Sequence, residues 1–335
     1  MCVLPRKVVV RVPATTANMG PAYDSIGMAL SIFAELTVEH SDAFSMSVEG
    51  EGCEEIQRDE QNMVVRACCL AFEYGNKKMP TLRFIMRSDI PYGCGCGSSS
   101  AAAVAGFVAG LQLCGHTMAT GSEEELLQAI AKFEGHPDNA APALYGGIQL
   151  CYKEHGGRVL TTRVPTPFAL SVVLFIPREK MKENTHVTRG LIPDFVPLED
   201  AVYNISCASI LVLALSTGDL RTLRSCGDKI HEGQRGDALF PHFRPCVNAA
   251  KEAGAAYAFL SGAGPTVCAL VGGRHGEVLT QPKEERVAER VALAMIDAAC
   301  AVGVEGRVVI TQPSDQGVHV VGAKPVRHNL VYVST

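Results

Sequence analysis

Short apolar runs, separated by loops rich in glycine and proline, make up most of the chain. Residues 8–12 are mainly valine and end at Pro13, which predicts a strand followed by a loop over 13–25. Residues 81–87 place apolar side chains at every second position, the pattern of a half-buried strand. Further strands are predicted at residues 168–176, 256–260, 267–271, 308–311 and 318–321.

Helical patterns alternate with these strands. Residues 63–74 form a predicted helix that Asn62 caps and Gly75 ends. The helix predicted at 101–114 has no charged residue, so we expect it to be buried on every side. Another predicted helix ends at Glu134, whose carboxylate shares a helix face with apolar side chains one and two turns earlier. Further helices are predicted at residues 200–216, 217–230 and 284–301.

The composition is that of a globular protein and argues against several functions. The 335 residues are enough for about two domains, and residues 165–167 are a candidate boundary. With 47% hydrophobic and 19% charged residues, the chain can bury a large core. A net charge of −5, without a long basic run, argues against a nucleic-acid partner.

Neither an export signal nor a membrane span is predicted. The N-terminus lacks the apolar core of a signal peptide, and the uncharged stretch 90–115 is interrupted by proline and glycines. Thirteen cysteines, without an export signal, indicate a reducing compartment, so we expect a cytoplasmic protein with no membrane partner. Cys68 and Cys69 are adjacent in sequence, and Cys94 and Cys96 are separated by one residue. Neither pair has a second pair of metal ligands near it at the spacing of a zinc finger.

A loop of glycines and serines precedes the uncharged helix. Residues 93–100 read GCGCGSSS. Glycines let backbone amides approach a phosphate, and a helix N-terminus adds free N–H groups and partial positive charge. The loop is neither a Walker loop nor a dinucleotide fingerprint, because the required lysine and glycine spacing are absent. On these residues alone, a phosphate cradle and a flexible turn with a serine cap are both open.

Acidic side chains follow in and after the next predicted helix. Glu134 lies in its last turn, where the helix dipole disfavours a negative charge by up to ~1 kcal/mol. On an apolar face it needs a partner, which Mg²⁺ or a salt bridge would supply. His136, Asp138 and Asn139 lie in the turn that follows. Asp138 could orient or deprotonate a hydroxyl, or could bond only its own backbone.

Four segments together resemble the motifs of the GHMP kinases, and among them of the enzymes that act on homoserine. The segments are PATTANMGPAYDSIGMAL at 13–30, IPYGCGCGSSSAAAVAG at 90–106, EGHPDNAAPALYGG at 134–147 and SGAGPT at 261–266. They resemble PATSANLGPGFDSLGLAL, IPxGxGLGSSAAAxxAG, a homoserine-kinase segment and SGSGPT, in the same order. The resemblance implies an α+β fold of two domains with the active site between them. Residues 1–165 would form an ATP-binding domain of the ribosomal-protein α/β type, and residues 166–335 a ferredoxin-like domain.

The resemblance also implies an ATP site and a metal site. Ser99 and Glu134 would hold Mg²⁺, Asn62 would contact adenine, and Arg87 falls where relatives often carry a lysine near the nucleotide. The nucleotide-binding residues implied in this way are Asn62, Arg87, Pro91, Gly93, Gly95, Cys96, Gly97, Ser98, Ser99 and Ser100.

For the acceptor, the resemblance implies L-homoserine, whose ammonium needs carboxylates and whose carboxylate suits paired arginines. The implied substrate-binding residues are Asn18, Asp24, His136, Asp138, Thr185, Arg189, Arg235 and Gly262. Asp138, Asp24, Glu134 and Arg235 are the implied catalytic residues. ATP and homoserine would give ADP and O-phosphohomoserine, and a homodimer is compatible with the resemblance.

Departures from the motifs leave alternatives. Cys96 and Ser100 stand where leucine and alanine are usual, and residues 231–235 read HEGQR instead of HEPYR. A mevalonate- or shikimate-type kinase is one alternative, although the lysine of the mevalonate-kinase first motif is absent. The others are a non-catalytic nucleotide-binding regulator and a cysteine-based metal or redox protein.

Overall fold

Two sheets with helices packed against them form the molecule. The computed structural model describes residues 4–116, 123–179, 188–272 and 286–325. The first sheet has the order β11-β1-β2-β4-β3, with β5 paired to β2 and β6 paired to β5. Its strands are β1 (Pro5–Ala17), β2 (Ile26–His40), β3 (Ser45–Gly50), β4 (Leu82–Ser88), β5 (Ile148–Lys153), β6 (Val159–Val164) and β11 (His319–Pro325). All described pairs in this sheet are antiparallel except β3 with β4.

Close helix packing accompanies the first sheet. Its helices are α1 (Met63–Tyr74), α2 (Ser98–Cys114), α3 (Glu123–Glu134) and α4 (Ala140–Tyr145). Two glycines let α2 approach α1: a Cβ at Gly106 would lie 2.3 Å from the Val64 carbonyl oxygen, and one at Gly110 would lie 2.7 Å from that of Cys68. The uncharged helix α2 is enclosed on most sides but not on every side as expected, because Ser99 and Gln112 are exposed.

The second sheet has the strand order of a ferredoxin-like fold. Its strands run β10-β7-β9-β8 and are antiparallel. They are β7 (Ser171–Pro177), β8 (Tyr257–Leu260), β9 (Val267–Val271) and β10 (Gly306–Thr311). Helices α5 (Leu198–Thr217), α6 (Phe243–Glu252) and α7 (Val287–Ala301) connect them, with a 3₁₀ helix at Leu220–Ser225 and a π-helical turn at Gly233–Asp237. The expected α+β fold is confirmed.

Three predicted elements differ from the structure. Strand β1 continues to Ala17, because a register shift after Pro13 lets residues 14–17 pair with β2. The helix predicted at 217–230 shortens to the six-residue 3₁₀ helix. The strand predicted near 318–321 joins the first sheet beside β1. The last strand of the second sheet is therefore β10, which ends at Thr311, whereas the second domain was expected to extend to residue 335.

One apolar core continues from the first sheet into the second. Val10, Phe84 and Val104 of the first unit belong to the same buried cluster as Leu174 and Phe259 of the second sheet. A separate cluster lies between the second sheet and helices α6 and α7. Because the shared core fixes the two sheets against each other, loops from both can converge on one site.

Candidate active site

Three glycines shape the loop before α2. Gly93, Gly95 and Gly97 have φ of 67°, 86° and 70°, in the region that favours glycine. A Cβ on Gly95 would lie 2.2 Å from the Ser261 carbonyl oxygen, and one on Gly97 would lie 1.9 Å from Thr15 Oγ1. A Cβ on Gly93 would meet nothing within 4 Å. Gly95 and Gly97 therefore pack the loop against its neighbours, whereas Gly93 faces open space.

Hydrogen bonds tie this loop to both sheets. Thr15 N donates to Cys96 O at 3.1 Å, and Thr266 N donates to Cys94 O at 3.1 Å. Ser261 Oγ donates to Gly95 O at 2.7 Å. The loop is thus preorganised by the ends of β1 and of the 261–266 segment.

The N-terminus of α2 has the features of an anion site. Gly97 precedes the helix in a left-handed conformation and, having no side chain, gives the helix no side-chain cap. The hydroxyl of Ser98 instead accepts a hydrogen bond from Gly93 N at 3.3 Å. Free amides at a helix N-terminus, next to glycines that leave room, suit a phosphate group.

Glu134 reaches this helix end from α3. Ser99 Oγ donates to Glu134 Oε1 at 2.9 Å, and the buried Ser100 donates to the other carboxylate oxygen. Ser99 Oγ also lies 3.0 Å from Met63 Sδ, at the start of α1. A hydroxyl and a carboxylate are oxygen ligands of the kind that Mg²⁺ takes, and two such ligands leave positions for phosphate and water.

The turn after α3 buries the carboxylate of Asp138. A Cβ at Gly27 would lie 1.8 Å from Asp138 O, so glycine in β2 is needed for the turn to pack there. Asp138 accepts a hydrogen bond from Asn139 N, and its Oδ1 lies 3.1 Å from His136 Nδ1. Burial lowers the pKa of His136, but the Asp138 carboxylate outweighs it and the pKa is raised.

The loop after β1 carries Asn18 and Asp24, both with positive φ. Asn18 Oδ1 accepts a hydrogen bond from Asp24 N at 2.9 Å, and its Nδ2 donates to Gly262 O at 2.9 Å. The side chain of Asn18 therefore links the segment 13–30 to the segment 261–266 by hydrogen bonds, and it orients the backbone of Asp24.

A two-pronged ion pair joins Asp24 to Arg189. Arg189 Nη1 lies 2.6 Å from Asp24 Oδ2, and Nη2 lies 2.9 Å from Oδ1. These hydrogen bonds raise the pKa of the Arg189 side chain, against its partial burial. The charge of Asp138 also acts on Arg189, which brings the turn after α3 into the same electrostatic environment.

Arg235 lies beside this pair and is only 1% exposed. Its Nε donates to Thr188 O at 3.2 Å, and its Nη2 donates to the Tyr23 hydroxyl at 3.4 Å. Burial lowers the pKa of the guanidinium, because desolvation disfavours the charge. Neither hydrogen-bond acceptor is a carboxylate. The site thus holds a buried cation that an anionic ligand would stabilise.

Tyr23 is the residue that the sequence analysis missed. Its ring lies below both guanidinium groups, with Arg189 Cζ 5.5 Å and Arg235 Cζ 5.2 Å from the ring centroid. His231 packs on the ring at 5.3 Å and bonds Gly20 O through Nε2 at 2.8 Å. The signal that could have identified Tyr23 as a site residue was its position next to Asp24, within the segment 13–30.

Buried carboxylates hold the segment that carries Arg235. Asp228 Oδ2 accepts hydrogen bonds from the backbone N–H groups of residues 230–232. Glu232 Oε1 accepts from Leu260 N at 2.9 Å, just before the 261–266 loop. Burial raises the pKa of Glu232 to about 7.

The remaining predicted residues have mixed placements. Asn62 caps α1 by accepting from Val64 N, and its amide donates to Gln57 O. Arg87 forms an ion pair with Glu49 at 2.9 Å on the surface. Both nucleotide contacts stay predictions. Thr185 lies outside the described residues.

Cys96 is buried in the loop near Thr266 Oγ1. Among the residues that the structure describes, no group of three or more His, Cys, Asp or Glu side chains is placed to hold a metal ion. The cysteine-based metal hypothesis therefore has no support in that part of the chain.

Comparisons with known proteins show the family to which the chain belongs. The description "GHMP kinases N terminal domain" matches residues 62–147, and "GHMP kinases C terminal" matches residues 211–301. The homoserine kinase of Moorella thermoacetica is 38% identical over 93% of this chain and 99% of its own length. That of Clavibacter michiganensis is 37% identical over 93% of this chain and 96% of its own length.

Solved structures show the same fold. The crystal structure of homoserine kinase from Cytophaga hutchinsonii matches with a TM-score of 0.79 and 26% identity, covering 96% of this chain and 99% of that chain. Mevalonate diphosphate decarboxylase from Staphylococcus aureus matches with a TM-score of 0.64 and 13% identity, covering 95% and 99%. At that identity the second likeness concerns the fold alone.

Proposed function

Because the chain belongs to the GHMP kinases, and within them to the homoserine kinases, we propose that its site transfers the terminal phosphoryl group of ATP to the hydroxyl of L-homoserine. The products are ADP and O-phospho-L-homoserine, so the enzyme serves threonine biosynthesis and acts in the cytoplasm. One observation supports this acceptor most. The buried Arg235, beside the Asp24–Arg189 pair, suits a small zwitterion with one carboxylate and one ammonium group.

The phosphates of ATP would lie on the loop 91–97 and the N-terminus of α2. The open side of Gly93 gives the chain of phosphates room, and the helix end supplies N–H donors and partial positive charge. We assign the adenine contact to Asn62, which precedes α1 next to the Met63 contact of Ser99. Arg87 remains a candidate for a contact with the nucleotide, and it would first have to break its ion pair with Glu49.

Ser99 and Glu134 would hold Mg²⁺ together, and Ser100 would orient the carboxylate. When bound, the ion supplies charge neutralisation for the phosphate oxygens, the main requirement of phosphoryl transfer. The Ser99 hydroxyl must turn from Glu134 so that its oxygen lone pairs are available. Glu134 is already at the helix end where the phosphates would lie, so only side-chain torsions have to change.

The acceptor would be oriented by charges on opposite sides. Arg235 and Arg189 would bind its carboxylate, and Asp24 with the amide of Asn18 would bind its ammonium group. The ring of Tyr23 contacts both guanidinium groups and would hold them on the same face of the ring.

The acceptor hydroxyl would then face the turn that carries Asp138. Its carboxylate is buried and lies 3.1 Å from His136, which would stabilise negative charge there. Asp138 would orient the hydroxyl and accept its proton as the bond to phosphorus forms. Because phosphoryl transfer depends mainly on positioning and charge, a strong base is not required.

The test is an ADP-release assay with Mg²⁺ and ATP against homoserine, mevalonate, shikimate and buffer. Homoserine-dependent ADP release, with O-phosphohomoserine identified by mass, is the expected result. Release only with mevalonate or shikimate would overturn the acceptor and keep the phosphate site. Folded protein that binds ATP but releases no ADP with any acceptor would instead indicate a nucleotide-binding regulator.

A further inference from the structure

One buried amide interrupts the apolar inner face of α5. From Ala201 to Gly218 the sequence contains no Asp, Glu, Lys, Arg or His, and by length and composition alone the helix could cross a membrane. Its inner face packs in the core, where Asn204 is only 3% exposed and lies one turn before the buried Cys207. An amide in such surroundings costs free energy unless its polar groups have hydrogen-bond partners. Asn204 has three such partners.

The partners of Asn204 come from two separate parts of the acceptor site. Its Nδ2 donates to Pro21 O at 3.2 Å and to Asp228 Oδ1 at 2.8 Å. Its Oδ1 accepts from the N–H of the residue after Asp228, at 2.8 Å. Pro21 belongs to the loop 18–25, which carries one group of acceptor-site residues, whereas Asp228 begins the segment 228–235, which carries another.

Asn204 completes the hydrogen bonds at the start of the segment 228–235. Asp228 is buried, and its Oδ2 accepts from the backbone N–H groups of residues 230–232. Its Oδ1 accepts from Asn204, so both oxygens of the buried carboxylate have donors. The four N–H groups that follow Asp228 are therefore all held by these two side chains. This network fixes the turn that leads to Arg235.

The loop 18–25 is held at two adjacent carbonyl groups. His231 Nε2 bonds Gly20 O at 2.8 Å, and Asn204 donates to the carbonyl of the next residue. Beyond this point the loop folds on itself through short-range backbone hydrogen bonds. A displacement at these carbonyl groups would therefore be passed on to Asp24, a few residues later.

We propose that Asn204 is a positioning residue of the acceptor site, which holds the loop that carries Asp24 and the segment that carries Arg235 at one separation. This rests on the proposed function, in which these two charged side chains bind opposite ends of homoserine. The described hydrogen bonds of Asn204 reach the backbones before these residues and include no residue of the ATP site.

Loss of Asn204 should therefore weaken the binding of the acceptor more than that of ATP. Without its hydrogen bonds the loop and the segment move independently, and only a fraction of the molecules has the separation that homoserine needs. The apparent affinity for homoserine falls by that fraction.

Exchanging two side chains separates the contacts of Asn204. In Asn204→Asp the amide donors are lost and a second carboxylate faces Asp228, so we expect a lower melting temperature and a KM for homoserine at least ~10-fold higher. In the swapped variant Asn204→Asp/Asp228→Asn, one amide and one carboxylate again face each other, and the N–H groups of residues 229–232 keep their acceptors. The Pro21 carbonyl still lacks its donor.

The swapped variant should regain stability but not affinity. We expect its melting temperature to lie within ~3 °C of the wild-type value, because the buried polar groups of the segment are paired again. Its KM for homoserine should stay at least ~5-fold raised, with kcat and the KM for ATP changed less than about threefold. A KM that recovers together with the melting temperature would overturn the proposal, because Asn204 would then have only a structural role. An unchanged KM in Asn204→Asp would overturn it as well.

Gln149→Leu is the matched control for Asn204→Leu. Gln149 is also 3% exposed, and it donates to Gly146 O at 2.7 Å and accepts from Thr161 Oγ1 at 3.0 Å, in the first sheet. Both variants lose a buried amide and should melt at a lower temperature. Only Asn204→Leu should raise the KM for homoserine, and an equal rise in both would overturn the proposal. If Asn204→Leu does not fold, the swapped variant still decides.

Hydrogen–deuterium exchange gives a measurement that does not depend on catalysis. In the swapped variant the amides of residues 22–26 should exchange at least ~10-fold faster than in the wild type, whereas those of residues 229–232 stay protected. Identical exchange in the two proteins would overturn the positioning role, even in an active enzyme. Faster exchange at residues 22–26, in a protein that phosphorylates only another acceptor, would keep the role of Asn204 in holding the loop and overturn the homoserine assignment alone.

Discussion

Arg189 and Asp24 bond each other through both terminal guanidinium nitrogens and both carboxylate oxygens, at 2.6 and 2.9 Å. They are the two charges that homoserine would have to engage, one for its carboxylate and one for its ammonium group. The charges of Arg189 and Asp24 therefore neutralise each other, and Arg235 adds a further positive charge beside them. Binding of a zwitterion exchanges one ion pair for two, whereas a ligand with a single charge would leave one member of the pair without a partner.

Replacing Asp24 should change the selectivity of the site. In Asp24→Asn the ammonium group of homoserine loses its carboxylate, and we expect kcat/KM to fall ~10²-fold. 4-Hydroxybutanoate, which lacks that ammonium group, should inhibit the variant better than the wild type, because Arg189 is no longer neutralised. Inhibition constants measured for both proteins check this.

The matched control for Asp24→Asn is Asp219→Asn. Asp219 also forms a two-pronged ion pair, in which it accepts from Nε and Nη2 of Arg221 at 2.8 and 2.6 Å, outside the site. Its substitution should leave both the KM for homoserine and the inhibition constant unchanged. Equal inhibition of wild type and Asp24→Asn would contradict the exchange of partners.

Arg235→Lys keeps the buried charge but removes the planar fork. Because lysine cannot bind a carboxylate through two parallel hydrogen bonds and also reach Thr188 O, we expect a loss of about 2–3 kcal/mol, ~30–150-fold in kcat/KM for homoserine. The KM for ATP should change less than threefold. Steady-state kinetics with each substrate varied in turn measure both, and an equal effect on the two substrates would indicate general disruption.

Tyr23 offers a graded test of how the arginines are positioned. Tyr23→Phe removes the hydroxyl that accepts from Arg235 at 3.4 Å but keeps the ring, so the KM for homoserine should rise only ~3–10-fold. Tyr23→Leu also removes the ring from both guanidinium groups and should raise it by a further ~10-fold. In both variants kcat should stay within a few-fold. A fall in kcat with unchanged KM would place Tyr23 in the chemical step instead.

The magnesium assignment predicts a specific dependence on metal concentration. In Glu134→Gln, the Mg²⁺ concentration for half-maximal rate should rise at least ~10-fold at fixed ATP, because one charged ligand is lost. Glu125→Gln is the control, since Glu125 is exposed on the same helix and bonds only the Tyr74 hydroxyl among the described contacts. Unchanged Mg²⁺ dependence in Glu134→Gln would remove this carboxylate from the metal site.

Glu232 predicts a pH dependence of stability. Its pKa is raised to about 7 in the folded protein, from an ordinary 4.5, by burial. The native state therefore binds the proton more tightly than the unfolded chain, so this contribution is complete below about pH 4.5 and is lost as the pH rises through 7. Glu232→Gln cannot ionise and still offers an oxygen to Leu260 N.

The corresponding measurement is urea unfolding of wild type and Glu232→Gln between pH 5 and 8. Relative to the wild type, the variant should gain on the order of 2–3 kcal/mol in the free energy of unfolding over this range. Glu252→Gln, at an exposed position of α6, should follow the wild type. Parallel curves for wild type and Glu232→Gln would contradict the raised pKa.

Local signals were enough to predict several elements, whereas the centre of the site was predicted from the resemblance of four motifs to a known family. The Asn62 cap defines the start of α1, and the alternation in residues 81–87 corresponds to the buried Leu82, Phe84 and Met86 of β4. The resemblance implied that Ser99 of the glycine-serine loop and Glu134 share a metal site, and the structure places the two side chains in hydrogen-bond contact.

Features that depend on distant residues could not be predicted in this way. Strand β1 continues beyond Pro13 only because its pairing with β2 accommodates a register shift there. Strand β11 belongs to the first sheet because the edge of β1 is available for pairing. Asp24 and Arg189 are 165 residues apart in sequence, and Tyr23 and Arg235 are 212 apart. No local pattern specifies that a tyrosine ring lies beneath two guanidinium groups from residues much later in the chain.

The pairing of β11 with β1 has a consequence for how the protein is made. Pro5 lies opposite Pro325, so the two ends of the described chain are neighbours in the first sheet. During synthesis, β1 to β6 leave the ribosome long before the strand that completes their sheet, and the second sheet is finished in between. The edge of β1 therefore stays open until β11, the last strand of the described residues, has been synthesised and can pair with it.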